Sequence, residues 1–233
     1  MSRVLVVVAH PDDADFGAGG TLAGLADTGW DVTALYCTRG EQGGFDPSLH
    51  EQMPQIRERE QRAAGEVLGI TDVRFLDGYR DGWLQPTYDL QRDLVRVIRQ
   101  VRPDLMLIQP ADRTYDRIFA SHPDHLACGE ASIRAIYPAA ENQFAWPELI
   151  TDEGLEPFLV PEFWVMGHPE GRHVVDITDT IDRKVNALLQ HASQVAHRGD
   201  QLGEMVRGRA AEVATAHGLP QGRFAEGFLR VKR

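Results

Sequence analysis

The segment RVLVVVA, residues 3–9, constrains the fold of this chain more than any other, because both of its alternating faces are apolar. A strand with one wet face alternates apolar and polar residues; a strand without alternation is covered on both sides, as in the middle of a parallel sheet. The rest of the chain repeats the unit that such a sheet needs. A helix is predicted over about Gly19–Gly29, a strand over 31–37 (DVTALYC) and a helix over 54–68 with Ile56, Ala63, Ala64, Val67 and Leu68 on its buried face. VRFL (73–76) is a third strand, and Asp89–Val101 a helix ended by Pro103-Asp104. LMLIQ (105–109) is a fourth strand, followed by a helix over 122–137 that Pro138 stops. Strands are expected near 163–166 and at 173–178, then a helix from about Asp179. The tail, 204–233, reads as a helix and a short extended piece. This alternation specifies an α/β fold: a Rossmann-like, doubly wound, mostly parallel sheet with helices on both faces. Its 233 residues suit a single domain, 1–233. Residues 138–172, rich in proline, are a loop-rich insertion expected to shape the pocket.

The formal net charge is -11, which repels phosphate backbones and argues against a nucleic-acid partner. Two cysteines, Cys37 and Cys128, do not make a disulfide framework. No run approaches the roughly 18 apolar residues of a membrane span, and the N-terminal apolar run is too short for a secretory signal core. No membrane partner and a cytoplasmic location are the expectation.

The first strand runs into AHPDDADFGAGG, residues 9–20. Glycines after a first strand suggest a dinucleotide loop, but Leu22 stands where the third glycine of that fingerprint belongs. Asp12, Asp13 and Asp15 would also face the pyrophosphate, repelling it by several kcal/mol in a partly dry site. Carboxylates beside a histidine suit a cation instead. In a 3-2-1-4-5 sheet, the neighbour of the first strand across the switch point is the fourth, and ligands bind outside those strand ends. The loop after the fourth strand leads to His122-Pro123-Asp124-His125, so two His/Asp turns distant in sequence should face one another. Two histidines and a carboxylate with an open position suit a catalytic zinc and equally non-haem iron(II). Taken singly, each turn also reads as a helix start, with Asp12, Asp13 or Asp124 as a cap.

AHPDD at 9–13 with GGTL at 19–22, and HPDH at 122–125, resembles the zinc-dependent PIG-L/LmbE deacetylases, a family that includes deacetylases and amidases of mycothiol and bacillithiol metabolism. Weaker elements extend the resemblance: TRGEQG (38–43), RERE (57–60), FL (75–76), DG (81–82), DIT (176–178), Lys184 and HASQ (191–194). The resemblance implies an LmbE-like fold and metal ligands His10, Asp13 and His125. It implies Asp12 as general base toward a metal-activated water, and an imidazolium at His122 stabilising the oxyanion, oriented by Asp124. Arg57 and Asp81 match positions that contact sugar hydroxyls, and Glu41 is a candidate for the rim. Read without the family, Arg57 pairs with Glu60 along its helix and Asp81-Gly82 is an ordinary turn. His191, Ser193 and Gln194 are expected to be structural contacts, and Cys128 to be buried packing. The chain departs from some sugar-thiol deacetylases at Ala120, where those place a tyrosine.

The function so implied is a hydrolase that uses zinc, or iron(II), to remove an N-acyl group, acetyl above all, from a glucosamine-containing small molecule. A homo-oligomer is compatible with the sequence. Three other readings fit less of it: an amidase of thiol-sugar conjugates, an iron(II) oxygenase with the same three ligands, and a non-catalytic metal- or sugar-binding module.

Overall fold

The computed structural model describes residues 1–199 and 201–233. Seven strands form one sheet in the order β3-β2-β1-β4-β5-β7-β6. They are β1 (Arg3–Val8), β2 (Asp31–Tyr36), β3 (Asp72–Phe75), β4 (Leu105–Ile108), β5 (Glu162–Met166), β6 (His173–Asp176) and β7 (Ala225–Lys232). The first five are parallel; β7 runs antiparallel to both β5 and β6. The helices are α1 (Asp13–Asp27), α2 (Met53–Leu68), α3 (Tyr88–Val101), α4 (Pro123–Arg134), α5 (Glu148–Thr151), α6 (Ile181–Leu189), α7 (Ala192–Val195) and α8 (Gln201–Ala216).

The double-sided apolar pattern of the first strand has the expected consequence. Leu5, Val7 and Ala9 pack into one core with Leu90, Leu94 and Ile98 of α3 and with Ala127, Cys128 and Ala131 of α4. Val4, Val6 and Val8 pack into another with Ala14, Ala18 and Leu22 of α1 and Ala64 and Leu68 of α2. A smaller cluster joins Ile181, Val185 and Leu188 of α6 to Leu202, Val206 and Ala210 of α8.

Three expectations are corrected. First, α1 begins at Asp13, directly after the first turn, rather than near Gly19. The glycines therefore lie inside the helix, where they allow close approach: a Cβ on Gly20 would sit 2.7 Å from the Ile177 side chain. Second, the tail is the expected helix and extended piece, but the piece is not short. β7 spans eight residues and inserts between β5 and β6, burying Ala225, Glu226 and Phe228. Third, the buried stripe of α2 is Met53, Arg57, Gln61, Ala64, Gly65 and Leu68. The helix is thus rotated from the purely apolar reading, turning two polar side chains inward. Among the described residues, no helix is long and apolar enough to cross a membrane.

Candidate functional site

The two His/Asp turns meet. β1 and β4 are adjacent, and the chain leaves both at the same sheet edge. Gln109, just beyond β4, accepts the Ala9 N–H at 2.9 Å and ties the two exits together. His10 and Asp13 follow β1, and the first turn of α4 carries His122 to His125.

Three donors converge there. His10 Nδ1 lies 3.3 Å from His125 Nε2 and 3.3 Å from Asp13 Oδ2, and His125 Nε2 lies 3.0 Å from Asp13 Oδ1. Ligands about 2.1 Å from a tetrahedral zinc are spaced about 3.4 Å apart, and about 3.0 Å at a right angle, so the three fit one divalent ion. The far nitrogen of His10 faces two carboxylates, Asp81 Oδ1 at 2.9 Å and Asp124 Oδ2 at 3.1 Å. A ring N–H held this way fixes the tautomer that leaves Nδ1 free to coordinate. His10, Asp81 and Asp124 also cluster closely enough for a metal, but the Nε2 proton directed at the carboxylates argues for hydrogen bonding there. Burial opposes charge on His10, yet Asp124, Asp13 and Asp81 together push its pKa up to about 12. The cluster demands a positive charge, as a proton or as a cation. Asp13 is held well below the ordinary carboxylate range: burial raises it, but the two histidines prevail.

Asp12 stands outside this donor triangle. Its backbone is left-handed (φ 84°, ψ -25°), costly for a residue with a Cβ by about 1–3 kcal/mol. It sits at the N-cap of α1, but its side chain caps nothing, so the capping role fails for it. Burial raises its pKa to about 6, against the pull of Arg57, which suits a base working near neutrality. Arg57 comes from the buried stripe of α2. Its Nη2 donates to Pro11 O at 2.6 Å and to Asp12 Oδ2 at 3.2 Å, while Nη1 donates to Gly40 O at 2.9 Å. Gly40 has φ 65°, and a Cβ there would fall on the guanidinium. Arg57 thus does not pair with Glu60, which instead accepts from Ser193 N–H and Oγ–H at 2.7 and 2.6 Å. Its guanidinium is committed to protein atoms at the cavity wall.

Asp81 and Glu41 also turn inward. Asp81 holds His10 and accepts the Gln42 N–H at 2.9 Å, and Glu41 accepts the Asp81 N–H at 2.9 Å. The two tie the glycine-rich loop after β2 to the turn after β3.

His122, not Asp124, is the N-cap of α4: its Nδ1 accepts the Asp124 N–H at 3.3 Å. The Asp124 carboxylate turns away from that ring, accepting from Gly82 N–H at 2.7 Å, Leu84 N–H at 3.3 Å and His10. The expectation that Asp124 orients His122 through its carboxylate is therefore corrected; that carboxylate supports His10. Burial and the neighbouring His10 and His125 lower the pKa of His122, so its environment disfavours the expected imidazolium. With Nδ1 accepting, the neutral ring carries its proton on Nε2.

His10, Asp12, Asp13, Arg57, Asp81, His122 and His125 line a cavity of about 310 Å³, with Gln42 and Gly43 at its wall, whereas Glu41 and Asp124 do not line it. None of its lining comes from 138–172. The first part of that segment packs instead against α3, where the buried Arg99 donates to the carbonyls of Ala139, Ala140 and Asn142, and its last part supplies β5 to the sheet. Ala120 is exposed, and Tyr115 is 81 % exposed. Cys37 and Cys128 are buried with Sγ atoms 3.6 Å apart, and neither lines the cavity.

Behind the first turn stand Gln61, which the sequence does not single out, and Asp15, which faces inward rather than toward a ligand of the turn. Gln61 accepts the Asp12 N–H at 2.7 Å, and Asp15, fully buried, contacts His191 Nε2 at 2.7 Å. A glutamine in register with Arg57 and Ala64 on α2 was the available signal.

A doubly wound sheet with a two-histidine, one-carboxylate cluster at its switch point defines a class: α/β proteins whose ligand crevice is lined by residues able to hold a cation. A family model described as "PIG-L: GlcNAc-PI de-N-acetylase" matches residues 5–136, and the chain belongs to that family. It is 32% identical over 231 residues to diacetylchitobiose deacetylase of Thermococcus kodakarensis, covering 98% of this chain and 82% of that one. It is 35% identical to 1D-myo-inositol 2-acetamido-2-deoxy-alpha-D-glucopyranoside deacetylase of Salinispora arenicola, covering 83% and 73%. The structure of N,N'-diacetylchitobiose deacetylase from Pyrococcus horikoshii superposes with a TM-score of 0.87 at 29% identity, covering 99% of this chain and 84% of that one.

Proposed function

We propose that this chain is a zinc-dependent deacetylase that hydrolyses the acetamide of a glucosamine-containing small molecule. The observation that carries the proposal is the convergence of His10 Nδ1, Asp13 and His125 Nε2 within 3.0–3.3 Å, with Asp12 beside them. The names of its relatives, deacetylases of diacetylchitobiose and of an acetamido-glucopyranosyl inositol, supply the substrate class. A cavity of about 310 Å³ suits a single sugar head, at the small end of the ~300–1,000 Å³ range of small-molecule pockets.

His10, Asp13 and His125 would hold the ion, with Asp81 and Asp124 fixing the His10 ring. The chemistry a divalent ion would supply there is Lewis acidity, toward the acetamide carbonyl and toward an attacking water. Asp12 accepts the proton from that water and returns it to the leaving nitrogen as the C–N bond breaks, giving acetate and a free amine. Its pKa of about 6 lets one carboxylate do both. His122, a neutral donor through Nε2, stabilises the developing oxyanion; such a donor is worth about 10²–10³ in rate. Arg57 keeps Asp12 ionised and aimed. Asp81 acts on the sugar by shaping the wall, its carboxylate already engaged with His10, and Glu41 acts by holding the Asp81 backbone.

The test is amine release from N-acetylglucosamine and N,N'-diacetylchitobiose by the zinc-loaded protein. Asp12→Asn and His125→Ala should each abolish release, the second together with zinc binding. Full activity in Asp12→Asn would refute the mechanism.

A further inference from the structure

Asp12 touches the cavity, but what holds it lies behind. A left-handed residue with a side chain persists only where its surroundings fix it. Gln61 Oε1 accepts the Asp12 N–H at 2.7 Å, and Gln61 Nε2 donates to Asp15 Oδ2 at 3.0 Å. The same Asp15 Oδ2 meets His191 Nε2 at 2.7 Å, where both side chains are fully buried. None of the three lines the cavity.

The chemistry of this chain of contacts is directional. An amide has an accepting end and a donating end, and the Asp12 N–H can only donate. A flipped Gln61 would set its NH₂ against the Asp12 N–H and its oxygen against the Asp15 carboxylate. Asp15 therefore keys the amide, and the ring proton on His191 Nε2 keeps the Asp15 oxygen in place. His191 is anchored in turn by its position between α6 and α7, where Ser193 is clamped to Glu60 of α2. Asp15 belongs to α1 and Gln61 to α2, so one polar line crosses three elements and ends on the Asp12 backbone.

We infer that Gln61, Asp15 and His191 form a positioning relay that sets the backbone of Asp12 and so aims its carboxylate at the reacting water. The inference rests on the reading of Asp12 as the base. A network that merely stabilises the fold would lower stability and leave kcat, per folded and metal-loaded molecule, unchanged. A relay lowers kcat selectively, because a displacement of about 1 Å in a catalytic group costs on the order of a hundredfold.

The experiment compares Gln61→Leu, His191→Leu and His191→Gln with the native full-length chain. Glutamine can present an N–H toward Asp15 as the His191 ring does. The first readout needs no substrate: hydrogen exchange of the Asp12 amide by NMR, with zinc per chain measured alongside. Exchange should quicken about tenfold or more in Gln61→Leu and His191→Leu, and remain close to native in His191→Gln, at native zinc content. The second readout is amine release: kcat falls about ten- to a hundredfold in the two leucine variants, with KM unchanged, and His191→Gln recovers most of it.

Native Asp12 exchange in both leucine variants overturns the relay, as does a kcat loss that only follows zinc loss. If Gln61→Leu does not fold, the His191 pair decides, and identical behaviour of leucine and glutamine overturns the inference. Asp12→Asn separates the two levels. If it retains activity, the base assignment fails. If it is inactive while both leucine variants keep native kcat, the relay alone fails.

Discussion

Replacing Arg57 by methionine removes the guanidinium that touches the proposed base while keeping the side chain's approximate length. In the native protein burial raises Asp12 to a pKa of about 6, and Arg57 is the strongest influence pulling it back. The guanidinium lies 3.2 Å from Asp12 Oδ2 with both side chains largely shielded from water. An adjacent arginine lowers a carboxyl pKa by about 1–3 units, each unit being about 1.4 kcal/mol. Losing it should carry Asp12 from about 6 to about 7–9. At pH 7 the ionised fraction then drops from about nine-tenths to between about a half and a hundredth. Arg57→Met should therefore lose about twofold to a hundredfold in kcat at pH 7. The assay is the pH profile of amine release by zinc-loaded protein. The acid limb should move upward by about 1–3 units, and part of the loss should be recovered at pH 9. A uniform loss from pH 6 to pH 9, with the limb in its native position, would refute the claim that Arg57 acts through the charge of Asp12.

Three further outcomes follow from the contacts. Asp124→Asn weakens the hold on His10 Nε2, and zinc affinity measured by calorimetric titration should fall about 10–100-fold. Lys184→Met breaks a buried pair with Glu226 at 2.5 Å, joining α6 to β7, and should cost about 3–5 kcal/mol in urea unfolding. Asp15 raises the pKa of His191 above its unfolded value even though burial opposes the charge. The pair's contribution is therefore fully present below about pH 6.5 and lost as pH rises through the folded pKa. The stability advantage of the native chain over His191→Gln should shrink across that rise, and a constant difference in chemical denaturation would contradict it.

The parts of this molecule that are legible in its sequence are those that depend on local pattern. RVLVVVA announces a strand covered on both faces, and β1 has that environment. β-α alternation specifies a doubly wound sheet, and the 3-2-1-4-5 order, the common one and the one its first five strands adopt, brings the two His/Asp turns together. β7 was illegible as a central strand, because antiparallel insertion between β5 and β6 depends on partners far away in the chain. The rotation of α2 was missed for a related reason. Arg57 and Gln61 look like solvent-facing residues until the turn they hold is in place, and only then do the Arg57 Nη atoms and the Gln61 amide find partners in the interior. Asp124 shows the same limit: its position after His122 suggested a partner, but the fold offers its carboxylate His10 and two backbone N–H groups instead. The segment 138–172 resembles a pocket-forming insertion by length, whereas Ala139, Ala140, Leu149 and Val160 pack into the core beside α3 and residues 162–166 form β5, none of them lining the cavity.

The central claim is that a divalent ion held by His10, Asp13 and His125 serves, with Asp12, to cleave an acetamide. Its most direct test is amine release from N,N'-diacetylchitobiose by one preparation measured as purified, after exhaustive chelation, and after stoichiometric zinc is restored. The account requires release to vanish on chelation and return with about one zinc per chain, and not to return in His125→Ala. Undiminished release from the chelated, metal-free protein would contradict it.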